Sequence, residues 1–383
     1  MAVGTLSTSH VALIAVIPAA IAHYYPAGVT TVQTAFQLPM MLAVPGLLLM
    51  GTIAGKTGKK IPLMISLAVM ALAGMAPAII YLPLPIFMVM MAVFGMGLGC
   101  VMTLSAGIVA DYFRGPEQAA VMGMHSGFVN LGGMLMAFSA GLLLAGCWRN
   151  VFFVYLFPLL VLIFVAACIP MDRPQKTGGV DAATKSKVKL STEAIVMCIM
   201  IFVLGMTMGT SNTNVGLLVA ENALGTPAIA SFGATVLAGS GIVTGLILYP
   251  HVAGAFKHNT IPAAFIIFVS GLMTMALSPS AVVFYIGNIL LGCGFTLMMP
   301  TGLARAAQSV EPASATFTIA LFLSANSTGM FIAPIVMNPL SAALATGTAQ
   351  SRYFIASGIV ITLFVLIFLH IQRTERANAL IGS

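Results

Sequence analysis

From Val151 to Ile169 the chain runs without a single charged residue, and comparable apolar runs follow one another from end to end. A stretch of about 20 apolar residues is the length of a helix that crosses the hydrocarbon core of a bilayer. In lipid every backbone N–H and C=O needs a protein partner, so only helices and closed barrels can span. A barrel strand alternates apolar and polar residues over about 10 positions, and these runs do not alternate. Composition points the same way. The 383 residues are 60% apolar and 6% charged, against about 25% charged in a soluble domain. The reading is an all-α membrane protein.

Twelve apolar segments are predicted, at 8–24, 28–54, 61–82, 85–110, 118–144, 151–170, 194–218, 226–254, 261–278, 282–306, 313–340 and 352–371. Turn signals separate them: Tyr25-Pro26-Ala27-Gly28, the stretch Gly55 to Lys60, Arg114-Gly115-Pro116 and Ser278-Pro279-Ser280. One longer polar stretch, Met171 to Ser191, carries Arg173, Lys176, Lys185, Lys187 and Lys189. The expected organisation is an N-terminal six-helix bundle (1–170), a cytoplasmic linker (171–192) and a C-terminal six-helix bundle with a short tail (193–383). Basic residues set the orientation. With both termini cytoplasmic, the inner loops and tail hold Lys56, Lys59, Lys60, Arg114, the five linker cations, Lys257, Arg305, Arg373 and Arg376. The outer loops hold only Arg149 and Arg352. That asymmetry is the positive-inside pattern of a multi-pass protein of the cytoplasmic membrane. It also accounts for the net charge of +7 without nucleic acid. No Lys or Arg precedes the first apolar stretch, so it reads as a retained helix and not a cleaved signal. The five cysteines lack C-x-x-C spacing and read as packing residues, not metal ligands.

The two halves repeat. Gly99-Cys100 with Thr103-Leu104 recurs as Gly292-Cys293 with Thr296-Leu297. Asn130, Gly133 and Met134 recur as Asn326, Gly329 and Met330, and Ile61-Pro62 recurs as Ile261-Pro262. Arg149 and Arg352 open the last helix of each half. Shared order and similar spacing mark an internal repeat. Six helices is an even number, so the two halves run in parallel.

The loop Gly51-Thr52-Ile53-Ala54-Gly55-Lys56-Thr57-Gly58-Lys59-Lys60 resembles the signature loop of the major facilitator superfamily, G-x-L-A-D-R-x-G-R-R. Ala110-Asp111-Tyr112-Phe113 with Gly115-Pro116-Glu117 is similar to that family's end of helix 4, and Trp148-Arg149 before Phe152 to its opening of helix 6. The resemblance implies twelve transmembrane helices in two pseudo-symmetric six-helix bundles that rock about a central site. It also implies a latch at the cytoplasmic end, built from Gly51, Gly58, Lys59, Lys60 and Asp111, with Lys59 meeting Asp111. The chain departs from the pattern in three places. Gly55 stands where the signature has Asp, Val93 lies near the usual helix 4 Arg, and Gly127 to Gly133 lacks the proline of the antiporter motif.

Ionisable residues inside a membrane are costly and mark function. Here all eight acidic and fifteen basic residues fall at helix ends, in loops or in the tail. A neutral, amphipathic or zwitterionic cargo is therefore expected over a strongly charged one. The polar candidates within helices are Gln33 and Gln37, which lie four apart on one helix face, with Asn130, Asn212, Asn214, Asn288, Ser324 and Asn326. Such amides also bond helix to helix in membrane bundles. The repeat-related pair Asn130 and Asn326 leans to the cavity, in helices 5 and 11, which line it in the resembled family. His125, early in helix 5, is either a proton carrier or a packed interfacial residue. Met88, Met90, Met91, Met96 and Met102 suit a permissive apolar wall or plain packing.

There is no H-E-x-x-H, no G-x-S-x-G and no G-x-x-x-x-G-K-[ST]. An intramembrane enzyme and an ATP-driven pump are thereby disfavoured. The expectation is a secondary active transporter without cofactor, monomeric, whose partners are a small organic substrate, the lipid bilayer and a candidate coupling proton. Export, symport and antiport stay open. An uncoupled facilitator and a transporter-like sensor are the alternatives.

Overall fold

A computed structural model describes residues 2–24, 27–112, 115–144, 146–168, 191–248, 260–310, 312–344 and 346–381. The expected linker lies outside the described residues except for its last two positions. The helices are α1 (Gly4–Val16, tightly wound in 3-10 geometry, continuing as Ile17–His23), α2 (Val29–Thr57), α3 (Lys60–Ile79), α4 (Leu84–Tyr112) and α5 (Gly115–Leu143). Then come α6 (Trp148–Tyr155 in 3-10 geometry, then Leu156–Cys168), α7 (Thr192–Glu221), α8 (Ala228–Val243, widening into a π turn over Thr244–Leu248) and α9 (Thr260–Ala276). The chain ends with α10 (Ala281–Gln308), α11 (Pro312–Leu344) and α12 (Ala349–Ile381).

Among the described residues, eight helices are long and apolar enough to cross a membrane: α2, α3, α4, α6, α7, α10, α11 and α12. The two pieces of α1 make a ninth if they count as one span. Shorter apolar stretches lie in α5, α8 and α9. The outer surface carries many large apolar side chains. Leu72 is 72% exposed, Leu344 69% and Val282 68%. A soluble protein would bury them, and a bilayer solvates them. This is a multi-pass membrane protein.

The interior divides into two large apolar cores. One draws on residues 3–165 and includes Phe36, Phe87, Phe94, Phe152 and Tyr155, joined by Met330. The other draws on residues 194–367 and includes Phe265, Phe268, Phe284, Phe322 and Tyr353, joined by Ile14 and Ala137. The few exchanged residues lie where α1 and α5 meet α7 and α8, and where α11 meets α2.

Small residues set how closely the helices approach, as expected where lipid removes the hydrophobic drive between them. A Cβ on Gly99 would lie 2.0 Å from Ala43 O, so α4 lies against α2. Its repeat partner Gly292 would meet Leu237 O at 2.5 Å, so α10 lies against α8 in the same way. A Cβ on Gly132 would fall 1.8 Å from Thr5 O, which brings α1 onto α5. Both long inter-half helices carry internal prolines, Pro39 and Pro45 in α2 and Pro334 and Pro339 in α11, each of which removes a backbone donor from its helix. Local caps hold the ends. Ser191 Oγ accepts from Ala194 N at 3.0 Å at the start of α7. Gly58, at φ +77°, leaves α2 through a conformation that disfavours a side chain.

Candidate functional site

A cavity of about 240 Å³ lies among α1, α2, α4, α5, α7, α8, α10 and α11. From α1 it receives Ser7 and His10, and alongside them Thr8, Val11 and Ile14. Both sets are spaced by three. In 3-10 geometry residues i and i+3 eclipse, so each set forms a column along the helix. Thr8 breaks the regular winding (φ −114°, ψ 17°), and its hydroxyl donates to Val129 O on α5 at 2.7 Å.

The walls are mostly apolar: Met40, Met102, Met208, Leu237, Phe295 and Met330. Of the helix 4 methionines flagged in the sequence, only Met102 lines the cavity, and Met91 is wholly buried in the first core. Three buried polar atoms on cavity-lining residues have no hydrogen-bond partner among the described residues: Ser7 Oγ, His10 Nδ1 and Asn326 Oδ1. An orphaned buried polar atom costs roughly 1–3 kcal/mol. Of these, Asn326 Oδ1 faces α7, 3.0 Å from where Gly205 would carry a Cβ.

The sequence candidates separate into two sets. Asn130, Asn212, Asn288 and Asn326 line the cavity. Asn130 Oδ1 stands 3.4 Å from where Gly241 would carry a Cβ, so it reaches across to α8. Asn288 Nδ2 donates to Phe284 O at 2.9 Å within its own helix. Ser324 is half-buried and off the cavity wall, while its neighbour Ser327 lies on it.

Gln33, Gln37 and Asn214 are buried elsewhere, in a polar seam at the end where α2 begins and α11 finishes. Gln33 Nε2 donates to Thr213 O at 2.8 Å and to Asn214 Oδ1 at 3.1 Å on α7. Asn338 Nδ2 on α11 donates to Gln33 Oε1 at 2.7 Å and to Thr30 Oγ1 at 3.0 Å. Gln37 Nε2 donates to Gly209 O at 3.3 Å. These bonds join the first six helices to the last six. The shared face of Gln33 and Gln37 therefore serves helix contact, because α7 and α11 close over it.

Arg352 opens α12 as expected and is buried there, 8% exposed, with its guanidinium donating to Asn214 Oδ1 and, at 2.9 Å, to Gly347 O. Its repeat partner Arg149 instead donates to Pro77 O at 2.9 Å and Ala78 O at 3.3 Å, at the end of α3. At the end of α9 the corresponding work falls to Gln350 and Asn222, which both donate to Ala276 O. Glu221 at the foot of α7 accepts from the backbone N–H groups of Ala349 and Gln350, at 2.8 and 3.1 Å, and so caps α12. With the end of α9 already held, Arg352 joins the seam.

His125 is not on the cavity wall. Its Nε2 lies 3.1 Å from Ser105 Oγ, and its ring packs against Gly4. His10, inside the first predicted segment, is the histidine that reaches the cavity. It ends the polar run Ser7-Thr8-Ser9-His10, just before the apolar stretch that starts at Val11. At the opposite end of the bundle, Lys59 Nζ donates to Gly107 O at 2.7 Å and Lys60 Nζ to Ala166 O at 3.0 Å. The side chain of Asp111, and with it the expected Lys59–Asp111 contact, lies outside the described residues. Gly51 lies within α2 and Gly58 ends it.

The helices thus enclose two cores, with a partly polar cavity walled by helices from both. Residues 1–334 match the Major Facilitator Superfamily, and the chain belongs to that family. It is a transporter and not an enzyme. Among solved structures, a mutant of the nucleoside transporter NupG superposes with a TM-score of 0.68 at 12% identity, covering 96% of this chain and 99% of its own. The xylose transporter XylE from E. coli, in a partially occluded inward open conformation, gives 0.68 at 13% identity, with 96% and 95% covered. At such identities the likeness concerns the fold. No functionally curated protein matches the chain.

Proposed function

We propose that this protein is a secondary carrier that moves a small, uncharged organic molecule across the cytoplasmic membrane by alternating access. Residues 1–170 and 193–383 act as its two six-helix halves. Both termini face the cytoplasm, as the basic loops imply. The observation that carries the reading is the cavity. It is walled from both halves, holds Asn130 and Asn326 from repeat-related helices, and among the described residues that line it none is Asp, Glu, Lys or Arg. A charge-free wall disfavours a charged guest, because nothing there would repay its dehydration.

In this orientation the polar seam lies at the outer end, so the site is shut from outside while the seam holds. Opening requires Gln33, Gln37 and Asn338 to exchange α7, α11 and α2 partners for water. The latch residues Gly51, Gly58, Lys59, Lys60 and Asp111 would perform the matching task at the cytoplasmic end. His10, as a titratable cavity residue, is the candidate for proton coupling in place of His125. The protein works as a monomer in this scheme.

The test is flux. Cells with and without the protein are compared for metabolites gained or lost, and the candidate cargo is then followed in proteoliposomes under an imposed pH gradient and an imposed potential. Flux that ignores both would remove coupling and leave a facilitator. Binding without flux would leave a sensor. Asn130→Ala and Asn326→Ala should each lower flux while the protein remains in the membrane, and unchanged flux in both would remove the cavity from the mechanism.

A further inference from the structure

We propose that Asn212 is the residue that selects the cargo, and that it takes a neutral molecule presenting an N–H beside a C=O, as on the edge of a lactam. The inference deepens the carrier reading and rests on its cavity.

Asn212 stands on the face of α7 that lines the cavity, together with Met208, Ser211 and Val215. The spacing i, i+3, i+4 and i+7 is that of a single helix face. The other cavity asparagines are already committed. Asn288 is 2% exposed and donates from Nδ2 to Phe284 O. Asn326 turns its Oδ1 toward α7 under cover of protein. Asn130 has an interaction of its own. Asn212 differs from all three. It is half-buried, its amide has no hydrogen-bond partner among the described residues, and neither its oxygen nor its nitrogen is covered. Because α7 is the most enclosed of the spanning helices, open groups on this face have the cavity in front of them.

An amide fixes its pattern, since Oδ1 only accepts and Nδ2 only donates. A hydroxyl rotates to suit either role, and an imidazole changes tautomer. Thr296, Ser327 and His10 on the same cavity therefore do not read the order of donor and acceptor. Ser211 is already joined to the Tyr353 hydroxyl at 3.1 Å. Asn212 does read that order, because a guest with an acceptor alone leaves one side of the amide unpaired. Met208 and Val215 lie about 6 Å and about 4.5 Å from it along the helix axis. The paired edge would thus sit between apolar side chains, where a hydrogen bond is stronger and an unpaired group more costly than in water. A cavity of about 240 Å³ falls below the roughly 300–1,000 Å³ of pockets that take drug-sized ligands, so a single ring is the matching size.

The experiment uses the full-length protein in nanodiscs and three small probes. 2-Piperidone carries the edge, cyclohexanone keeps the ring and the acceptor, and N-methyl-2-piperidone keeps the amide without its N–H. Binding is read by thermal stabilisation and by ligand-observed NMR, without any flux measurement. The parent should bind 2-piperidone about tenfold more tightly than either of the others, the size of one bond made against one group left unpaired. Asn212→Leu should bring 2-piperidone down to the level of cyclohexanone. Asn212→Ser, a smaller and still polar replacement, should abolish the same preference. A parent that binds none of the probes, or all three alike, would overturn the assignment, as would a preference that survives in either folded variant. Lactam preference without flux would instead overturn the carrier reading and leave Asn212 standing, and flux of a cargo that lacks this edge would do the reverse.

Discussion

Gln33→Ala is the sharpest test of the polar seam. The substitution deletes bonds to Thr213 O, Asn214 Oδ1 and Asn338 Nδ2 without adding an apolar chain that opening would expose to water. All three partners belong to the other half of the molecule. Side-chain hydrogen bonds within membrane bundles average about 0.6 kcal/mol each, so three give about 2 kcal/mol. The released groups are not stranded. Asn338 keeps Thr30, and Asn214 keeps Arg352. The loss therefore stays near the sum of the bonds and does not grow into a desolvation penalty. At 1.4 kcal/mol per factor of ten, 2 kcal/mol is roughly a thirtyfold shift between closed and open. If the open form is about 1% of the parent, the variant should hold about a fifth of its molecules open. Spin labels at Pro83→Cys and Thr226→Cys, in exposed turns at the seam end of opposite halves, report the separation. The exposed Cys147 and Cys168 would be replaced by Ser in both proteins. Pulsed electron–electron distance measurements should show a new, longer population in Gln33→Ala. Identical distance distributions in equally folded samples would refute the reasoning, and the seam would then be packing without a gating role.

Other expectations follow from single contacts. Gly132→Ala would set a Cβ 1.8 Å from Thr5 O, so α1 must lift from α5. Its melting temperature in detergent should fall by several degrees, while Gly358→Ala, with open space around it, should melt with the parent. Glu221→Gln leaves one oxygen to cap two N–H groups of α12. It should cost about 1 kcal/mol, seen as faster hydrogen exchange at Ala349 and Gln350. Arg352→Met removes donors to Asn214 and Gly347, both in its own half, and should lower the melting temperature while leaving the spin-label distances as in the parent. Arg149→Met, which frees only the end of α3, should likewise leave those distances unchanged.

Much of the architecture was legible because membrane helices announce themselves through length and hydropathy. The repeat was legible because paired contacts reuse the same residue types, as Gly99 on Ala43 and Gly292 on Leu237 show. The site was only half legible. Asn130 and Asn326 reach the cavity as their repeat relation suggested. Gln33 and Gln37 do share a face, but spacing says nothing of what covers that face, and α7 and α11 arrive from the far half of the chain. His10 was not legible as a cavity residue because it sits at the polar end of the first segment, where spacing alone does not tell an inward face from a helix end. Arg352 was placed correctly at a helix end. Its burial depends on Gly347 and Asn214, one next door and one 138 residues away.

A seam of amides has a consequence that an apolar seal would lack. Parting two greasy surfaces exposes them to water at about 25 cal/mol per Å², a cost that grows with every ångström of opening. Gln33, Gln37 and Asn338 face no such slope, because incoming water can hydrate each group as it lets go of its partner. Hydration thus levels the landscape between shut and open, and the outer doorway can work on thermal motion alone.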